Sequence, residues 1–292
     1  DVYKRQILLH EQLIHKESYM QPYLICLDLD GTLLNDNKEI SSYTKQVLTE
    51  LQQRGHHIMI ATGRPYRASQ IYYHELNMNT PVVNFNGAYV HHPKANDFTT
   101  IHEVLDVEIS KNIITALQQS HVTNIIAEVK DYVFINNHDP RLFEGFSMGN
   151  PKIQTGNLLE QLTEPPTSLL VEAEEDNIPK IKDMLTHFYA ENIEHRRWGA
   201  PFPVIEIVKR GINKARGIKC VKQYLNVADE RVIAFGDEDN DIEMIKYASH
   251  GIAMNNGLQE LKDVANDTTY SNNEDGIGRY LNEFFDLNIR YY

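Results

Sequence analysis

A chain of 292 residues exceeds the usual span of one domain, and 41% hydrophobic with 24% charged residues suffices for a packed core and argues against disorder. A net charge of −13 works against a nucleic-acid partner, which needs a Lys/Arg surplus on at least one face, and suits a bound cation. Two cysteines make no disulfide framework, and no window nears the roughly 18 apolar residues of a membrane span or resembles a signal segment, so a soluble, cytoplasmic protein without a membrane partner is expected.

Residues 1–19 are polar and are expected to lie outside the fold, with Met20 as the natural start. Tyr23 to Leu29 is an apolar run ending in carboxylates, which suits a central parallel strand covered on both faces. Ser41 or Ser42 caps a helix, Val47, Leu48 and Leu51 recur at helical spacing, and Gly55 stands where a left-handed terminator belongs. His57 to Ala61 reads as a second strand, and Thr62-Gly63-Arg64-Pro65 closes it and opens a helix. A third strand, Val82 to Phe85, ends at Asn86-Gly87.

From about residue 88 the pattern changes to short paired strands, such as Asn124 to Val129 and Tyr132 to Asn136 around Lys130-Asp131. Glu164-Pro165-Pro166 makes a turn, followed by a strand from Ser168 and a helix near Ile178 to Phe188. After Ile205-Glu206-Ile207 the first pattern returns: a helix from Asn213, the strand Val232 to Phe235, Gly236 to Asp241 opening a helix, and a strand near His250 to Met254. The expected fold is α/β, a doubly wound, Rossmann-like parallel-sheet core with an inserted α+β cap domain. Its expected divisions are a 1–19 extension, core residues 20–87, the insertion 88–204 and core residues 205–292.

Ligands of such a sheet bind beyond the carboxyl ends of its strands, where Asp28, Thr62 and Asn86 fall. Asp28 and Asp30, two residues apart, are expected to point the same way and to repel unless a cation lies between them. Magnesium, a hard ion with oxygen ligands, answers that need. Asp237 and Asp241 follow another apolar strand, with Gly236 allowing a close approach and Asn240 supplying an amide. Thr62 and the helix start after it offer a hydroxyl and N–H groups for phosphoryl oxygens, or an ordinary cap. Lys214 opens a helix, where a cation is poorly placed against the dipole, so an anionic partner or plain solvation must explain it.

Five stretches together resemble the haloacid dehalogenase superfamily, in its Cof-type (subfamily IIB) capped branch. They are Leu27 to Leu34 (LDLDGTLL), Ala61 to Arg64 (ATGR), Asn86-Gly87-Ala88, Gly211 to Lys214 (GINK) and Gly236 to Met244 (GDEDNDIEM). The resemblance runs from Tyr23 to about Leu281 and takes in Asn272 to Gly276. It implies a phosphatase of small phosphorylated metabolites in which Asp28 attacks phosphorus, forming an aspartyl-phosphate, and Asp30 serves as acid and then base. It further implies magnesium held by Asp28, the Asp30 backbone carbonyl and Asp237. Phosphate would be held by Leu29 N–H, Thr62, Gly63, Lys214 and Asn240, with Asp241 in support and Arg64 and Asn86 as candidates for the substrate. Ala215 departs from the glycine often found after the lysine.

Two other enzyme readings remain, a phosphotransferase and a sugar phosphomutase, and a receiver-like phosphoaspartate module is a third from another class. The pairs His56-His57 and His91-His92 are not read as metal sites, since strand neighbours point to opposite faces. His195, Arg196, Arg197 and Trp198 read either as substrate contacts or as a solvated basic edge with one packed aromatic.

Overall fold

The computed structural model describes residues 21–141, 146–197 and 203–291; the 1–19 extension and Trp198 lie outside them. The chain opens with β1 (Leu24–Leu27), α1 (Ser42–Gln53), β2 (His57–Ile60), α2 (Tyr66–Glu75) and β3 (Val82–Asn84). Ser41 caps α1 by accepting the Thr44 N–H at 3.0 Å, and Gly55 follows the helix at φ +89°. Next come β4 (Tyr89–His91), β5 (Ile101–His102), α3 (Val107–Gln118), β6 (Val122–Val129), β7 (Tyr132–Ile135), β8 (Lys152–Thr155), α4 (Leu158–Gln161), β9 (Ser168–Ala173), α5 (Ile178–Tyr189), β10 (Ile193–Arg197) and β11 (Val204–Lys209). The chain returns through α6 (Lys214–Tyr224), β12 (Val232–Gly236), α7 (Ile242–Tyr247), β13 (His250–Ala253), α8 (Gln259–Lys262), β14 (Asp267–Thr268) and α9 (Gly276–Phe284).

The core is a five-stranded parallel sheet in the order β14-β13-β12-β1-β2. Alternation along β1 divides its side chains between two packed layers. Ile25 and Leu27 meet Val47, Leu48 and Leu51 of α1 and Leu281 of α9, while Leu24 and Cys26 meet Ile218 and Val221 of α6 and Met244 of α7. Each such fully buried aliphatic side chain contributes about 1.5–3 kcal/mol of transfer free energy. The chain leaves β1 to one side for β2 and comes back on the other as β12, so the β1/β12 junction is the switch point of the sheet.

The structure alters several expectations. The first strand stops at Leu27; Asp28 still donates its N–H to the Phe235 carbonyl at 3.2 Å, and the chain then turns, with Asp30 meeting Leu34 in an isolated bridge. β3 joins the core sheet through the single bridge Ala61–Val83 and otherwise belongs to a three-stranded antiparallel sheet, β3-β4-β5. The expected boundary at residue 88 therefore falls ahead of two strands that pair with the core side of the chain. Cys26 is buried within β1 and Cys220 is half-buried, and both are free thiols.

The insertion builds a six-stranded sheet, β10-β11-β9-β6-β7-β8, antiparallel except for β7-β8, and since β11 (Val204–Lys209) pairs within it, the expected return to the core at residue 205 falls inside this sheet. One face carries Ile125, Ala127, Leu169, Val171, Ile205 and Ile207 against α3, α4 and α5. The opposite face turns to the core: Arg67 of α2 reaches Glu128 of β6 at 2.6 Å, with both side chains 5% exposed. Glu103 binds Lys209 and Arg216, each at 2.5 Å, which staples together the two crossings between the units. No helix among the described residues is long and apolar enough to cross a membrane.

His56 packs against Phe285 and accepts the Tyr23 N–H on Nδ1 at 3.0 Å, and burial pushes its pKa down to about 4. A folded value below the unfolded one of about 6.5 means that its contribution is present above pH 6.5 and is lost as pH falls toward 4. Allowing for partial solvent screening, the linked loss is about 1–2 kcal/mol. The melting-temperature gap between wild type and His56→Asn should therefore narrow on going from pH 7 to pH 5; a constant gap would mean that His56 does not titrate in this way.

Candidate active site

The carboxyl ends of β1 and β12 bring four buried charged side chains together. Lys214 Nζ donates to Asp28 Oδ1 at 2.6 Å and to Asp241 Oδ1 at 2.7 Å, with no exposure of the lysine. This answers the puzzle of a cation at the start of α6: its charge is spent on two carboxylates, and the helix is capped instead by Asn213, which accepts the Arg216 N–H at 3.0 Å. Asp241 is fixed from behind, since its Oδ2 accepts the N–H of Asp237 at 2.9 Å and of Glu238 at 3.2 Å. Asp237 accepts the Thr32 hydroxyl at 2.6 Å.

Two glycines make this proximity possible. A Cβ at Gly236 would stand 2.5 Å from Asp241, and one at Gly31, whose φ is +77°, would stand 2.2 Å from Asp237 Oδ2.

Oxygens of Asp28, Asp237 and Asp241 lie within 4.8 Å of one another, all buried, and no other such group of His, Cys, Asp and Glu occurs among the described residues. Three buried carboxylates against one ammonium leave two uncompensated negative charges. Burial raises the Asp28 and Asp237 carboxyls well above the usual range; Lys214 opposes this at Asp28, and the Asp28 and Asp241 charges add to it at Asp237. Burial alone would lower Lys214, but Asp241 and Asp28 hold its pKa above the ordinary value. The all-oxygen donor set and the double negative charge fit a hard divalent cation.

The expectation that Asp30 points beside Asp28 is corrected. With β1 ended at Leu27, the period of two no longer applies, and the Asp30 carboxylate turns outward to Arg64. Arg64 grips it through Nε and Nη2, both at 2.6 Å, and Lys38 adds a bond at 2.8 Å. Burial would raise this carboxyl, but the hydrogen bonds and charge of Arg64, then of Lys38, outweigh it and hold it below the usual range. The third carboxylate of the buried cluster is Asp241.

Of the remaining expected residues, Gly63, Asn86 and Asn240 come together, while Thr62 and Leu29 follow the ends of β2 and β1. Thr62 extends the edge by donating its N–H to Val83 at 2.9 Å, and its hydroxyl accepts the Arg64 N–H at 3.1 Å, so it does cap the turn. Leu29 lies buried just after Asp28. Asn86 adopts the left-handed conformation (φ 54°), adjoins Gly63, and links Asn240, which donates to its Oδ1 at 3.0 Å, to Glu206 of β11, whose Oε2 accepts its Nδ2 at 2.8 Å. Burial, opposed by Arg196, pushes the Glu206 carboxyl up to about 7.

Lys38 and Glu206 were not singled out as site residues from the sequence, and Thr32 appeared only within the LDLDGTLL stretch. Only Glu206 carried a signal, a carboxylate inside the apolar strand Val204 to Val208. The basic run on β10 is not the solvated edge weighed as one reading: Arg197 meets Glu175 at the surface, but Arg196 is 15% exposed and reaches Glu243 of α7 at 3.4 Å.

A family model described as haloacid dehalogenase-like hydrolase matches residues 25–281. The chain is 46% identical over 267 residues to the 5-amino-6-(5-phospho-D-ribitylamino)uracil phosphatase YitU of Bacillus subtilis (strain 168), covering 91% of this chain and 99% of that protein. It is 28% identical to a second phosphatase of the same description, YcsE, from the same organism, over 88% of this chain and 94% of the other. Among solved structures, a haloacid dehalogenase-like hydrolase from Bacteroides thetaiotaomicron superposes with a TM-score of 0.80 at 27% identity, over 90% of this chain and all of the other.

Proposed function

Since the chain belongs to the haloacid dehalogenase-like hydrolases, in their capped Cof-type branch, and is a phosphoric monoester hydrolase, we propose that it is a magnesium-dependent phosphatase working through an aspartyl-phosphate on Asp28. That activity sets the receiver-like reading aside. We further propose that its substrate is 5-amino-6-(5-phospho-D-ribitylamino)uracil, supported by the 46% identity over nearly the whole of the relative of that description.

The observation that carries the reaction is the buried Lys214 bridge between Asp28 and Asp241 with Asp237 beside it, at the switch point of the sheet. Magnesium would be held by Asp28, Asp237 and the Asp30 backbone carbonyl, and when bound it supplies positive charge to phosphoryl oxygens. An Asp28 oxygen attacks phosphorus; the bond to the leaving oxygen breaks, and a proton from Asp30 goes to that oxygen. Water then attacks the aspartyl-phosphate, its proton passes to Asp30, and Asp28 is freed with inorganic phosphate. Lys214 orients Asp28 and opposes the effect of burial on its carboxyl. Leu29 N–H, Thr62, Gly63 and Asn240 take the other phosphoryl oxygens, and Lys214 takes part in neutralising their charge. The six-stranded unit acts as the cap that sets specificity, moving about the crossings near residues 103–106 and 209–213.

Phosphate release from a panel of the named compound, sugar phosphates, nucleotides and cofactor phosphates tests both parts. Release should require Mg2+, stop in EDTA and return on adding Mg2+ back, with the named compound preferred by at least about tenfold in kcat/KM. Full activity in chelator would remove the metal, and a flat panel would remove the substrate.

A further inference from the structure

We propose that Arg196 and Glu206 on the inserted sheet recognise the leaving group, and that they select a neutral, hydroxyl-bearing one. This rests on Asp28 being the phosphoryl acceptor.

The two residues are direct cross-strand partners on β10 and β11, so their side chains share one face. That face looks at the core. The residues flanking Glu206, Ile205 and Ile207, pack against the helices on the other side, whereas Glu206 meets Asn86 and Val208 packs on Phe85 and Ile212. Glu206 stands one side chain from Asn86 and two from Asn240, so it lies directly beyond the residues assigned to the phosphoryl group. A phosphomonoester seated on Asp28 has its leaving group on this side of the site.

Hydrogen-bonding capacity is left over at this pair. Glu206 spends Oε2 on Asn86 at 2.8 Å, and Arg196 beside it acts on the carboxyl through its charge. Arg196 Nη1 is buried without a partner, while Nη2 makes a long 3.4 Å bond to Glu243. A buried guanidinium donor left unpaired is costly, and a ligand acceptor removes that cost. An acceptor carboxylate beside a donor guanidinium matches hydroxyl groups, each of which gives one hydrogen bond and takes another. An anionic leaving group fits badly. Arg196 already faces Glu206, Glu243 and Asp239, and Glu128 lies on the same face as Glu206.

The test is a ratio measured on the full chain with Mg2+. kcat/KM is determined for 5-amino-6-(5-phospho-D-ribitylamino)uracil, ribitol 5-phosphate and fructose 1,6-bisphosphate, each relative to p-nitrophenyl phosphate, which has no hydroxyls. In wild type the first two should exceed the bisphosphate. Glu206→Gln and Arg196→Gln should each lower the ratio for the hydroxylated monoesters by roughly 10–100-fold, mainly through KM, with Arg196→Lys falling less. Equal losses on all substrates, or an unchanged ratio in both variants, would overturn the assignment. A wild-type enzyme that cleaves p-nitrophenyl phosphate but prefers the bisphosphate would overturn the substrate class. No Mg2+-dependent release from p-nitrophenyl phosphate would remove the phosphatase reading beneath it, a distinct outcome.

Discussion

Asp28→Asn is expected to lower turnover by roughly ten-thousand-fold or more while the protein stays folded. The amide keeps the shape of the carboxylate and loses the nucleophilic charge, so no covalent phosphoenzyme forms. Lys214 does not become an orphan, because Asp241 still holds it at 2.7 Å. Removing one of the three crowded carboxylates also relieves repulsion in the metal-free protein. Its melting temperature without divalent ions should therefore equal or exceed that of wild type, and the rise on adding Mg2+ should be smaller, since one ligand is gone. Loss of activity with a retained or raised melting temperature separates chemistry from stability. Turnover within about tenfold of wild type, or acid-stable phosphate bound to the variant, would show that another residue is the nucleophile.

The parallel core was legible because strands covered on both faces leave uninterrupted apolar runs, as in Leu24 to Leu27, followed by Asp28, and Val232 to Phe235, followed by Gly236-Asp237. The residues of the candidate site could be picked out for the same reason: most stand at strand ends or helix starts, and Gly31 and Gly236 mark the close approaches. What failed was local geometry or sequence distance. Asp30 was misdirected because the pleat ends three residues earlier than its own position, and no periodicity survives a turn. β4 and β5, of three and two residues, are too short to carry a pattern that would assign them to one sheet or the other. Glu206 reaches Asn86 across 120 residues of chain, and Arg196 meets Glu243 across 47; neither pairing has a local signature. A charged residue within an apolar strand does announce itself, but without its partner it says only that something must satisfy it.

Asp30→Asn should fail at a different point from Asp28→Asn, with steady turnover down by roughly 10²–10⁴-fold. Its backbone carbonyl is untouched and Asp28 can still attack, so an activated aryl phosphate, whose leaving group needs little proton donation, should still phosphorylate the enzyme. Dephosphorylation then stalls for want of a base, and rapid quench should show a burst with covalent phosphate accumulating; Asp28→Asn should show none. Normal steady turnover would remove Asp30 from acid–base work altogether. The Arg64 grip gives this role a pH signature. By holding the Asp30 carboxyl below its usual range, Arg64 keeps the base form available in mildly acidic solution and makes the acid form scarce at neutral pH. Activity limited by the base is lost as pH falls through that pKa. Arg64→Ala, which removes the lowering influence and leaves burial and Lys38, should therefore move the acid limb of kcat to higher pH. Proton donation to an alkyl leaving group should improve in the same variant, since more of Asp30 is then protonated near pH 7. An acid limb that stayed in place in Arg64→Ala while the Asp30→Asn burst was observed would show that Arg64 releases Asp30 before catalysis begins, and that the free carboxyl sets the profile.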